Sequence, residues 1–204
     1  MRALIYVPVA LALACVPALA QHRPTAFGFS AGSTKSEVLA AVGTSNLVHS
    51  SNTTLVLKSS PDADANRTFQ EFMLALSPKS GLSAVTGVVQ ISSATALPQI
   101  RDRYNSLRDS VAQQYGPPRH EFDLISSGAT ATSDDQAMQA FAQKSRHLSS
   151  YWLLDDKTLV TVRVVGLSST RAQIILKFEF RPDYDSTRTD AASNLAPAVE
   201  RSGK

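Results

Sequence analysis

The sequence predicts an α+β fold: an antiparallel sheet of five or six strands packed on one long helix, with a short N-terminal helix. Three observations carry this. Six runs show period-two alternation or enrichment in β-branched residues, the signal of strands. One stretch, residues 98–115, repeats apolar side chains at helical spacing. The strands also come in consecutive groups, without the one-by-one alternation with helices that marks a parallel sheet.

The elements follow in order along 204 residues. Met1-Arg2, the apolar run 3–14 and the Ala18-Leu19-Ala20 ending have the layout of a secretory signal peptide. Residues 21–185 then read as a single α+β domain. Thr34 is a good helix N-cap, and Glu37 three residues later completes a capping box. Val38, Leu39 and Val42 give this helix its apolar side, and Gly43 stops it. Three strands follow, at 53–58, 69–76 and 84–92. In the second, Phe72, Leu74 and Leu76 alternate; in the third, Val85, Val89 and Ile91 do. Residues 77–81 read as the turn between them.

The long helix carries Ile100, Tyr104, Leu107, Val111 and Tyr115 on one face. Pro98 suits its first turn, and Gly116-Pro117-Pro118 ends it. About 18 residues at 1.5 Å rise span about 27 Å. Five strands at about 4.8 Å spacing span about 24 Å, so one helix suffices to cross such a sheet. Residues 126–133 form a Ser/Gly/Ala/Thr-rich loop. Residues 134–144 read as a smaller helix with Ser133 as cap and Met138 and Phe141 inward. Strands at 148–154, 159–165 and 171–181 complete the fold. In the last, Ile174, Leu176, Phe178 and Phe180 face one way, and Lys177, Glu179 and Arg181 the other, so one face is covered and one is wet. Residues 186–204 lack the apolar weight to offset ordering entropy and read as a disordered tail. The two halves share a loose plan of helix and then strands, without a residue-level repeat.

Charge and cysteine narrow the function classes. The 20 basic and 17 acidic residues are interspersed, with a net charge of +3. A nucleic-acid partner calls for a clustered basic stripe, so none is expected. The apolar leader is too short for a membrane span, which takes roughly 20 residues. The only cysteine is Cys15. Ala12-Leu13-Ala14-Cys15 leaves a lipobox open, which would put a lipid anchor on Cys15. The Ala18-Leu19-Ala20 ending favours simple export with cleavage after Ala20. The mature chain then has no disulfide and no thiol nucleophile.

Several patterns resemble chemical sites. Gly28-Phe29-Ser30-Ala31-Gly32 matches the G-x-S-x-G pattern of a serine hydrolase, with Ser30 as nucleophile. That motif needs a buried strand before it and parallel-sheet units after it, and neither is evident here. Asp62-Ala63-Asp64-Ala65-Asn66 resembles the start of a calcium loop. Arg67 and Met73 stand where such a loop wants glycine and glutamate. His22, His49, His120 and His147 share no metal-ligand spacing. Neither a metal nor a cofactor is expected. Asn52 and Asn66 head formal glycosylation triplets. Tyr151-Trp152 opens a strand, which sends one ring to the core and the other to the surface.

Gly32, Thr34, Val38 and Gly43 fall at the spacings of a segment found in small bacterial envelope proteins. Residues 32–44 in this respect resemble SmpA/BamE-like proteins of the outer-membrane assembly machinery. The resemblance implies an envelope location and a module of helix plus antiparallel sheet. The reading that follows is an exported, non-enzymatic envelope protein, periplasmic or secreted, with a binding or structural role toward another envelope or secreted protein. An inhibitor or immunity-like protein acting on an envelope enzyme is the alternative, and a small hydrolase using Ser30 is a third.

Overall fold

The computed structural model describes residues 23–91, 97–125 and 137–180. The leader with Cys15, His22, the loop at 126–133 and the tail at 186–204 lie outside the described residues.

A two-stranded hairpin opens the fold, β1 (Thr25–Ala26) against β2 (Phe29–Ser30). Helix α1 (Lys35–Val42) follows, then a single 3-10 turn (Thr44–Asn46). Next come β3 (Leu47–Ser50), β4 (Thr54–Leu57), the one-turn helix α2 (Ala65–Thr68), β5 (Glu71–Ser77) and β6 (Gly81–Ile91). The second half runs through α3 (Leu97–Tyr115), β7 (His120–Ile125) and α4 (Ala137–Ala142). It ends with β8 (Arg146–Leu153), β9 (Leu159–Ser168) and β10 (Arg171–Glu179). The main sheet has eight strands in the order β3-β4-β5-β6-β10-β9-β8-β7, and every pairing is antiparallel.

This corrects the expected sheet of five or six strands on one long helix. The sheet class is as read, but the sheet is wider, and a hairpin and four helices accompany it among the described residues. Eight strands at about 4.8 Å spacing are about 38 Å across. The 19 residues of α3 reach about 28 Å, so α3 cannot cover the sheet alone. The added strands are its two edges. β3 has four residues and a register break between Leu47 and His49. β7 turns Glu121 and Asp123 toward the helices and Phe122 and Leu124 outward, which reverses the usual pattern. β3 carries no periodic apolar signal, and in β7 the alternation of Phe122 and Leu124 with acidic residues is short.

The strand order also gives the two halves a common plan. Each is a helix followed by an antiparallel meander of four strands, and the meanders meet only along β6 and β10. Register defines the covered face. Leu176 lies between Gly87 and Val162, Phe178 between Val85 and Val160, and Ile174 between Val89 and Val164. These residues join Leu55, Leu57, Phe72 and Leu74 from the first half in one core cluster with Ile100, Tyr104 and Val111 of α3. Two glycines permit close approach. A Cβ on Gly87 would stand 2.8 Å from the ring of Phe69, and one on Gly166 would stand 2.1 Å from the backbone of α4.

Local sequence signals explain the helix ends. The Glu37 amide donates to the Thr34 hydroxyl (3.3 Å), and the Thr34 amide donates to the Glu37 carboxylate (2.7 Å). The bond from the Thr34 amide, joined by one from its hydroxyl at 3.0 Å, holds the Glu37 carboxyl below its usual range. Gly43 closes the helix at φ 78°, with its amide donating to Leu39. In the β1–β2 turn Phe27 adopts φ 53°, costly for a residue with a Cβ. Its ring compensates by packing edge-on against Phe69, Phe72 and Phe178 at 5.1–5.4 Å.

Candidate binding surface

Strand alternation sends every second side chain to the face away from the core. Ala84, Val88 and Ile175 lie there and stand outside the main core cluster. Val88 is nonetheless 0% exposed and Ile175 7%. In register Val88 sits between Glu71 and Ile175. Two strand positions from Ile175, Lys177 forms an ion pair with Glu179. This face is therefore polar around a narrow apolar middle.

The β7 end of the same face is different. His120, Phe122 and Leu124 pair in register with Tyr151, Ser149 and His147. His120 stacks on Phe122 with centroids 6.4 Å apart, and Phe122 meets Tyr151 edge-on at 5.8 Å. Phe122 remains 41% exposed and Leu124 48%. The Tyr151-Trp152 pair divides as alternation requires. Trp152 is in the core, and its indole nitrogen donates to the Gly116 carbonyl at 2.9 Å.

Behind β7, on the helix side, lies a polar network. Ser150 donates to Glu121 at 3.2 Å, so the Tyr104 phenol donates to Ser150 at 2.6 Å. Burial pushes the Tyr104 pKa up to about 12. Arg108 lies 3.6 Å from Glu121, and Arg101 reaches Asp123 at 2.6 Å. Arg146, only 6% exposed, approaches Asp123 at 3.5 Å. Its guanidinium lies 6.0 Å from the Phe141 ring centroid, and its Nε has no hydrogen-bond partner. Arg101, Tyr104 and Arg108 project together because spacings of three and four share a helix face. This network was not anticipated from the sequence. That spacing, set against the Glu121/Asp123 alternation, is the signal that could have revealed it.

A groove of about 960 Å³ opens between the β1–β2 hairpin, α2 and α3. Val89, Ile174, Leu176 and Phe178 form its floor, with Asp62, Asp64, Asp102 and Arg103 among its lining. It has the size and apolar floor of a small-molecule site. None of His49, His120 and His147 lines it, and neither does Ser30.

The sequence candidates fall as follows. Ser30 lies on the two-residue strand β2, opposite Thr25, rather than at the head of a parallel strand. The backbone beside it is tied to β6, with Gly32 donating to Leu82 and Leu82 donating to Ser33. Asp62 accepts from the amides of Asp64 and Ala65 and so caps the turn leading into α2. Asn66 is engaged with Ser60, accepting from its amide at 2.7 Å and donating to its carbonyl at 2.9 Å. No metal-holding cluster occurs among the described residues. Gly32, Thr34, Val38 and Gly43 serve as turn, N-cap, buried contact and C-cap of α1. Comparison with known families, curated proteins and solved structures finds no match to this chain.

Proposed function

We propose that this chain is an exported, non-enzymatic binding protein of the cell envelope, periplasmic or secreted, whose partner is another envelope or secreted protein. The observation that carries the reading is the two-sided sheet. One face is built into a core by α1, α3 and α4. The other ends in an exposed aromatic group, Phe122 with His120 and Tyr151. Exposed aromatic side chains at a surface are anchors for protein contact. The leader layout supports export. An inhibitor of an envelope enzyme fits the same surface, since a broad rigid face of this kind suits blocking a partner's cleft. Ser30 on a short hairpin strand gives a hydrolase no support.

Site-specific photo-crosslinking in living cells tests this. A photoreactive residue at Tyr151 or Lys177 should capture a protein partner, while one at Arg103 on α3 should not. Capture from Arg103 alone would overturn the reading. Intact-mass analysis of the exported protein should give a mature N-terminus at Gln21; a lipid-modified chain starting at Cys15 would place it on a membrane instead.

A further inference from the structure

β7 is an edge strand that lacks the usual protection. It pairs with β8 over six consecutive residues without a bulge. Its other side pairs with no strand among the described residues, so toward those residues its backbone presents a regular row of donors and acceptors outside any ladder. Proteins usually spoil such an edge with a bulge, a proline, a lysine or a very short strand, because it templates pairing with another chain. The opposite edge obeys that rule: β3 is short and its register breaks. β7 has no proline, no lysine and no bulge. Its one protective device is the pair of inward charges, Glu121 and Asp123, and Arg101, Arg108 and Arg146 neutralise them. Exposed apolar surface gathers here too. Phe122, Leu124 and Ile125 are half of the six large hydrophobic residues that stand exposed among the described residues.

We propose that β7 is a strand-addition site, at which an extended segment of another protein joins the main sheet as its next strand. This rests on the binding role proposed above and names how the partner is held. Backbone hydrogen bonds to the free edge supply affinity, and alternate side chains supply specificity. On the open face, apolar residues of the incoming strand lie beside Phe122 and Leu124. On the helix side, uncharged polar residues lie beside Glu121 and Asp123. Charge decides this choice. Both carboxylates already have guanidinium partners, and Arg108 is also paired with Asp109 at 2.8 Å, so the charges balance and a further one opposite them would unbalance the cluster. A second copy of this chain fits poorly for the same reason. Antiparallel self-pairing in either of the two longest face-matched registers sets Asp123 against its own copy or against the copy's Glu121, and like charges directly opposed are destabilising. Any other register shortens the ladder.

The probe is a soluble peptide that alternates valine and threonine between terminal lysines, titrated into the purified full chain. Hydrogen exchange of β7 amides should slow on binding. Leu124→Lys should weaken binding by about tenfold, the loss of roughly one apolar contact. Met73→Lys, at the far end of the same face, should leave binding unchanged. Both substitutions are at exposed positions, and thermal melting verifies that each variant folds. A peptide with prolines in place of threonines should not bind, since proline cannot donate to the ladder. Absence of β7 protection at millimolar peptide, or equal losses from Leu124→Lys and Met73→Lys, would overturn the proposal. So would a concentration-dependent dimer in sedimentation that Leu124→Lys abolishes, which would assign the edge to a second copy. Crosslinking from Tyr151 or Lys177 without β7 protection would sink strand addition and leave the binding role standing.

Discussion

On one side of the β6–β10 seam, the helix-side layer is held by rings: Phe27, Phe69 and Phe72 pack edge to face over β4 and β5. On the other side, the corresponding outer strands are held largely by charge and hydroxyl groups, from Tyr104 through Ser150 and Glu121 to Arg108, and from Arg101 and Arg146 to Asp123. The two meanders share a strand plan, yet the layer over one is dry and the layer over the other is wet. Apolar packing is non-directional and tolerates small shifts. A charged network fixes geometry but is costly if half satisfied. The second half thus presents β7 rigidly without burying it, and all six of its residues remain exposed.

The largest expected effect tests the dry half. Phe72 is fully buried, so Phe72→Ala should cost about 3 to 5 kcal/mol by chemical denaturation. A cost below about 1 kcal/mol would mean that the aromatic cluster is not what holds this half. Next comes the wet half. Asp123→Asn strips a carboxylate from the buried Arg146, and because Asp123 itself is partly exposed and screened this should cost about 1 to 2 kcal/mol. Adding Arg146→Met should recover part of that loss, because the replacement brings no charge. If the double variant is no better than the single one, charge is not the tie that holds β7.

Alkaline titration sharpens the contrast further. The Tyr104 pKa is raised to about 12 from an ordinary 10.0. Its neutral form is therefore favoured in the folded state. The unfolded chain loses this proton first as pH rises, so the contribution is complete below pH 10.0 and is lost progressively toward about 12. Tyr104→Phe should reduce this alkaline loss and cost about 1 kcal/mol near neutral pH, for the hydrogen bond to Ser150. An unchanged alkaline profile would remove Tyr104 from the account. The smallest effect belongs to the helix end in the first half. Thr34→Ala should cost about 1 kcal/mol or slightly less, since the cap is exposed. Ser30→Ala, read by the same denaturation, should shift stability by less than about 0.5 kcal/mol and leave partner capture intact.

Legibility in the sequence follows the same division. The start of α1 could be read because Thr34, Glu37 and Gly43 act locally, through bonds within a few residues. α3 and β10 could be read because their apolar faces are long and regular. β3, β7 and the β1–β2 hairpin could not. β3 has no alternation over four residues. β7 hides behind Glu121 and Asp123, whose inward direction makes sense only once Arg101, Arg108 and Arg146 are in place across the chain. The hairpin depends on Phe27 at positive φ, held by rings more than 40 residues away in sequence. The serine motif misled for a related reason: its two glycines serve a turn and a tight backbone contact with β6.

The seam carries a consequence for the order of events in time. β6 pairs with β10, so Ala84 meets Glu179 and Ile91 meets Ala172. Those contacts span most of the domain in sequence, and non-local pairing of this kind slows folding. A chain emerging N-terminus first exposes the edge of β6 until nearly all of it has appeared. The sheet is complete only once β10 has entered between β6 and β9. For a chain exported as proposed above, such late closure keeps the intact sheet from forming while the C-terminal strand is still in transit.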